Sequence, residues 1–414
     1  MTVGRSGRRL RGALTVLVAW ISLVGGGPAW ADTDEVSSLE LGAAASLGSG
    51  VTYRKFSLKG SHGPAYGHLL TVDLRNRHVS VDLLYPGAVG ARERTSLLAG
   101  ERGAVGAVNG DFFNINEDQH PGVEVTGAPV GPAVSGGRAL KGAVPDGQRF
   151  GPAMPSGATT EDVLTVGRDR VGRLDRLVLD GSVLTEDEEL PLSGFNQYAL
   201  PVGGIGAFTP AWGRSSRERA TCGTDHDRGA PCSDVTYELT IRRGRVASAA
   251  HRPGRGAIAR GSVVLVGREK GARALRRLRV GDRVKVEQRL RSRRARTPRF
   301  AVGGFPILRG GASLPGLDRR TSAVRTAAGL AGRGRRLYLL ALDGSPAYRS
   351  GLTVAELART MRRLGAVDAF NLDGGGSSTL VTRARSGGRP TVRNHPSGGA
   401  ERAVANGIGI FIRP

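Results

Sequence analysis

Over most of this chain apolar and polar residues alternate with a period of two, which predicts strands with one face buried. Residues 66–74 and 78–84 are two such runs, and Arg75-Asn76-Arg77 predicts the turn between them. Residues 104–108 form an apolar run that breaks into Asn109-Gly110-Asp111-Phe112-Phe113. From about 151 to 300 the runs shorten, at 175–179, 197–201, 235–242, 261–266 and 280–287, with turns between. That change of texture predicts a β-rich subdomain inserted into a larger unit. Residues 301–308 and 405–411 read as further strands.

A helical spacing stands out near the C-terminus. Residues 336–342 predict a buried strand ending in Asp343-Gly344. Thr353 and Glu356 then match a capping box, and Val354, Leu357, Ala358, Met361 and Leu364 recur at helical spacing before Gly365. Residues 366–370 lead into Asn371-Leu372-Asp373-Gly374-Gly375-Gly376-Ser377-Ser378. Strand, helix and strand in sequence predict a βαβ unit with parallel strands, placing Asp343 and Asp373 at one sheet edge. The fold class expected is therefore α+β or mixed α/β: a mixed β-sheet core with few helices, one βαβ unit near the C-terminus, and the β-rich insert. Residues 51–150 and 301–414 would form the core domain and 151–300 the inserted subdomain.

The N-terminus reads differently. Arg5, Arg8, Arg9 and Arg11 precede an apolar run at 13–24, and Ala29-Trp30-Ala31 matches a cleavage site. This predicts a signal peptide over 1–31, cut after Ala31, a flexible leader over 32–50, and a secreted mature chain. The apolar run falls short of the ~20 residues a membrane-spanning helix needs. Cys222 and Cys232 would then most simply form one disulfide closing a surface loop.

The formal charge is +24, with 60 basic residues against 36 acidic. Arg supplies 55 of the basic residues and Lys five. The sign suits an anionic wall glycopolymer or a phosphorylated sugar, and a coding bias placing Arg on solvated faces accounts for it equally. No nucleic-acid-binding module is visible, so no specific nucleic-acid partner is expected.

The candidate chemistry lies in the Gly-rich run. Three consecutive glycines permit positive φ and close backbone approach to a ligand, and successive N–H groups in such a turn can cradle an anion. A Gly-rich surface turn capped by Asp fits the same letters. Taken with Asn109-Gly110-Asp111, Gly303-Gly304-Phe305-Pro306, Arg325-Thr326, Asp343-Gly344, Asn394-His395-Pro396-Ser397 and Glu401-Arg402, however, the run resembles the phosphodiester glycosidase family in block order and spacing. Two positions depart from the family pattern: Ala323-Val324 stands for His-Pro, and Ser345 for Arg.

The resemblance implies cleavage of a sugar-1-phosphodiester, N-acetylglucosamine-1-phosphodiester-like, between the anomeric carbon and the phosphate oxygen. It makes Asp373 the first choice for direct chemistry and Glu401 its proton-transfer partner, with Asp111 and Asp343 as further candidates. Arg325, Arg402 and the backbone of Gly374, Gly375, Gly376 and Ser377 would hold the phosphate, with Gly110, Thr326 and Ser378 beside them. Asn109 and Asn371 would orient sugar hydroxyls or the carboxylates. No metal or other cofactor is expected, although the strand-end carboxylates allow for a divalent cation. Two alternatives remain open: a metal-dependent phosphodiesterase breaking P–O, and a non-catalytic binder of cell-wall polymer.

Overall fold

A computed structural model describes Met1 and residues 37–294, 298–344, 351–384 and 388–413. The expected signal peptide and Ser345 lie outside these residues. Within the stretch read as leader, Ser37–Leu41 and Ala45–Gly48 are strands, and both pair with Val51–Gly60.

The expected mixed α/β class is corrected by the structure, which is mainly β, with 41% of the described residues in strands and 10% helical. The described helices are α1 (Thr95–Arg102), α2 (Lys270–Leu275) and α3 (Val354–Arg363). The largest sheet has nine strands. At its centre Gly63–Asp73, Arg336–Leu342, Thr326–Ala331, Asp368–Leu372 and Phe305–Arg309 lie side by side, each antiparallel to its neighbours. The two strands of the expected βαβ unit do run in the same direction, but Thr326–Ala331 is wedged between them, pairing antiparallel with both. The strand–helix–strand order suggested parallel strands, and order along the chain does not show whether a third strand is inserted between them.

α3 is the one helix read correctly from the sequence. Thr353 and Glu356 form both halves of the capping box, and Gly365 closes the end at φ 91°. Met361, Leu357 and Ala358 are buried. Met361 packs where a side chain on Gly329 of the central strand would stand, so the helix lies against the sheet face.

A five-stranded sheet, ordered Thr391–Val392, Leu380–Thr382, Gly106–Asn109, Gly407–Ile412 and Val79–Leu84, meets the large sheet on its other side. Leu70 of the large sheet fills the space beside Gly106. The 151–300 stretch builds most of two further sheets. One is five-stranded and runs Gly194–Phe195, Ile205–Phe208, Ser262–Arg268, Thr236–Arg242, Arg245–Ala250. It carries a separate apolar cluster around Leu239, Leu265 and Leu275. Residues 197–201, expected as a strand, are irregular. Tyr198, Ala199 and Leu200 there are buried in the main core, so the apolar signal reported burial, not extension. Cys222 and Cys232 are disulfide-bonded. Closing a loop of this size contributes about 3 kcal/mol through the unfolded chain.

Candidate active site

Two strand ends from different sheets are laced together. Gly106–Asn109 ends in Gly110-Asp111, and Asp368–Leu372 ends in Asp373. The Asp373 N–H donates to the Gly110 carbonyl at 2.9 Å. Asn109 completes the seam: its Nδ2 donates to the Asp373 carbonyl at 2.7 Å, while its Oδ1 accepts from Thr326 Oγ1 at 2.9 Å and Thr379 N–H at 3.0 Å. Asn109 and Thr326 are therefore occupied by the framework, and Thr326 Oγ1 also lies 3.0 Å from Ser378 Oγ, from which it can accept. Gly110 is required because a side chain there would run into Asn406, whose Oδ1 accepts from the Asp111 N–H.

Asp111 is buried, and its Oδ2 accepts from Gly131 N–H at 2.6 Å. Burial pushes its carboxyl up to about 6, against the pull of Lys141, the Gly131 N–H and Arg149. Lys141 is equally buried and donates to the carbonyls of Val130 and Gly131 at 3.1 and 2.6 Å. Burial brings its ammonium down to about 7, with Asp111 opposing.

Asp373 keeps some exposure to solvent. Burial of its surroundings pushes the carboxyl up to about 7; Ser377 and Arg402 pull it down, and the charge of Asp111 raises it again. Two neighbouring carboxyls with pKa values raised toward neutrality form a pair suited to proton exchange. Asn371 lies two residues back on the same face. Its Oδ1 and Nδ2, like Asp111 Oδ1, are buried with no protein partner among the described residues. Polar atoms in that position fit a polar ligand.

The glycine run wraps this pair. Gly375 adopts φ 58° and donates its N–H to the Val324 carbonyl at 2.8 Å. A Cβ on Gly376 would stand 2.5 Å from Arg402 Nη2. Arg402 therefore lies directly on the turn, and its Nη1 donates to Ser377 Oγ at 3.3 Å.

Asp343 sits on the rim, two strands away from Asp373. Its Oδ1 accepts from His395 N–H at 2.7 Å and meets His395 Nδ1 at 2.9 Å and His68 Nε2 at 3.2 Å. Burial acts to raise its pKa, but the hydrogen bonds from His68 and His395 outweigh it and hold the carboxyl below its ordinary value. Tyr53 Oη meets His68 Nδ1 at 2.8 Å, extending the chain inward. Ser397, two residues past His395, donates to the Gly375 carbonyl at 3.2 Å, which ties the rim to the glycine turn.

Two expected contacts go elsewhere. Arg325 Nε and Nη2 donate to the carbonyls of Leu352 and Thr321 at 2.9 and 2.7 Å, on the α3 side of the strand. Both Glu401 oxygens accept from Ser96, from the N–H at 2.7 Å and the hydroxyl at 2.5 Å, in the first turn of α1. Sequence reasoning missed Lys141, Arg149 and the His68–Asp343–His395 chain. One signal was present: Lys141 is one of only five lysines among 60 basic residues, and lysine loses its proton on burial far more readily than Arg. Trp212 is fully buried and donates to the Ser215 carbonyl, so it packs inside the protein.

Among the described residues, the only group of three or more His, Cys, Asp or Glu donor atoms within 4.8 Å of one another is His120 with Cys222 and Cys232. The four candidate carboxylates form no such group.

Residues 236–411 match the family model described as phosphodiester glycosidase, as the sequence resemblance anticipated. Among curated proteins none matches this sequence. Of solved structures, a hypothetical protein from Synechocystis superposes with TM-score 0.67 at 20% identity over 91% of this chain, which spans 64% of that protein. A Burkholderia pseudomallei protein described as exported gives TM-score 0.67 at 18% identity, covering 91% of this chain and 97% of that one. The catalytic domain of zebrafish N-acetylglucosamine-1-phosphodiester α-N-acetylglucosaminidase gives TM-score 0.44 at 15% identity, over 91% of this chain and 88% of that one. The first two share the fold.

Proposed function

We propose that this chain, with its phosphodiester glycosidase match over 236–411, is an exported hydrolase of sugar-1-phosphodiesters, cutting between the anomeric carbon and the phosphate oxygen. The observation carrying this reading is the seam that sets Asp373 beside Asp111, both with carboxyl pKa values raised toward neutrality, next to Arg402 and the glycine turn. Arg402 and the turn hold the phosphate. Asp373 acts at the sugar, and Asp111 exchanges the proton with it. Glu401, expected in that second role, has its oxygens on Ser96. Water supplies the oxygen that ends on the anomeric carbon, and the phosphate monoester leaves with the bonding pair. It is already a good leaving group, so Arg402 can replace much of a general acid. Export is supported by the disulfide, which forms and persists in oxidising compartments.

The test is hydrolysis of a panel of sugar-1-phosphodiesters in ¹⁸O-water, with and without a chelator. The reading predicts label on the released sugar and unchanged turnover after chelation. Label on phosphate would move the cleavage to P–O, and loss of activity on chelation would make the carboxylates metal ligands.

A further inference from the structure

The positive charge of this chain is not spread over it. Residues 241–294 hold 18 Lys and Arg against three acidic residues in 54 positions, whereas 37–240 hold 19 against 24 and the 120 residues of 295–414 hold 19 against six. A uniform coding preference for Arg would not produce that contrast. The basic segment supplies two of the five strands of the small sheet and the end of a third, including Arg245–Ala250, which forms its exposed edge.

This edge borders a concave groove of about 670 Å³. Arg243, Arg245, Arg283 and Lys285 stand around it, all exposed, over an aliphatic floor that includes Ile241 and Val284. Glu186 is the one acidic residue lining it. Arg245 is braced by donating to the Gly281 carbonyl at 2.7 Å, and Lys285 pairs with Glu287 at 2.5 Å. Arg243 and Arg283 have no side-chain hydrogen bond or ion pair among the described residues. None of the groove residues belongs to the Asp111–Asp373 site.

We propose that this groove is a second binding site, which docks a polyanionic glycan whose sugars or polyols are joined by phosphodiesters. Repeated phosphates match four cations around one hollow, and the aliphatic floor takes the uncharged backbone between them. Single-stranded nucleic acid presents the same charge, but its binding sites add aromatic side chains on which bases stack, and no aromatic residue lines this groove. The choice of a phosphodiester-linked glycan rests on the proposed function; the groove's cationic character does not. Docking there would raise the local concentration of scissile bonds near the Asp373 site without taking part in the chemistry.

The experiment uses the mature chain and measures binding to poly(glycerol phosphate) across a salt series. In parallel, it measures turnover of a small soluble sugar-1-phosphodiester. Two variants are compared: one carries Arg243→Gln, Arg245→Gln, Arg283→Gln and Lys285→Gln, and the other carries Arg77→Gln, Arg333→Gln, Arg362→Gln and Arg363→Gln, an equal loss of charge outside the groove. The groove variant is expected to bind at least about tenfold more weakly, with a shallower salt dependence, because each lost phosphate contact removes released counterions. The control variant should bind like wild type, and both should turn over the small substrate normally. Equal binding by wild type and groove variant overturns the proposal, as does equal weakening in both variants. Wild-type binding to oligo-dT as tight as to poly(glycerol phosphate) overturns the choice of a glycan. Absence of turnover on the small substrate, with groove-dependent binding intact, refutes the proposed hydrolysis and leaves the docking site standing.

Discussion

Asp373 and Asp343 end two strands of one sheet, separated by a single strand, yet their surroundings push them in opposite directions. Around Asp373 burial dominates, with the charge of Asp111 adding to it against Ser377 and Arg402, and the pKa goes up to about 7. Around Asp343 two histidines and a backbone N–H converge on one oxygen, and the pKa goes down. A strand-end Asp followed by Gly therefore carries no fixed chemical role. What decides is the surroundings: burial, reinforced by Asp111, at one site, and hydrogen bonds from His68 and His395 at the other.

The sharpest way to break this comparison is Asp373→Asn. It is expected to lower kcat by roughly 10³-fold or more, as loss of a group acting directly in the transition state does. The same variant should be the more stable protein at neutral pH. Asp373 ionises near 7 in the folded chain and near 3.8 unfolded, so ionisation weighs against the fold as pH climbs through that window. Asn removes this cost, giving on the order of 4 kcal/mol at pH 8 and less than about 1 kcal/mol at pH 4. Denaturant melts at the two pH values read it directly; a variant no more stable at pH 8 than at pH 4, relative to wild type, would mean that Asp373 ionises normally.

Asp343→Asn should act in the other sense and more gently. Its lowered pKa contributes stability that is present above the unfolded carboxyl pKa and lost as pH falls through the lower folded one, so the variant should be less stable than wild type at neutral pH. As a positioning residue for His395, it should cost about tenfold in kcat with little change in KM and a shifted acid limb of the pH–rate profile. An effect as large as that of Asp373→Asn would put the chemistry on the rim. The smallest effect is expected from Glu401→Gln: about 1 kcal/mol of stability through the first turn of α1, with kcat unchanged. A thousandfold loss of kcat at unchanged stability would restore Glu401 as the proton-transfer group.

Local patterns were legible wherever they were self-contained. The α3 capping box, the strand ends at Asn109 and Leu372, and the glycine run were all readable because each is specified within a few residues. The class of fold was not, because an apolar strand covered by another sheet reads the same as one covered by helices. The site was half legible for a related reason. Asp111 and Asp373 sit in motifs, but Lys141 and His68 lie in ordinary strands and matter only through what folds against them. Arg325 shows the reverse: its motif was visible, but a strand residue's neighbours lie on alternate faces, and its guanidinium belongs to the α3 side.

Asn109 has a further consequence for how activity arises during synthesis. It joins Thr326, Asp373 and Thr379, and its own strand pairs with Gly407–Ile412, so the seam closes only between segments made hundreds of residues apart. Contacts of such long range form slowly. A nascent chain still short of Gly407–Ile412 lacks a strand that holds Gly106–Asn109 in place, so the seam between Asp111 and Asp373 is completed only after that strand is made.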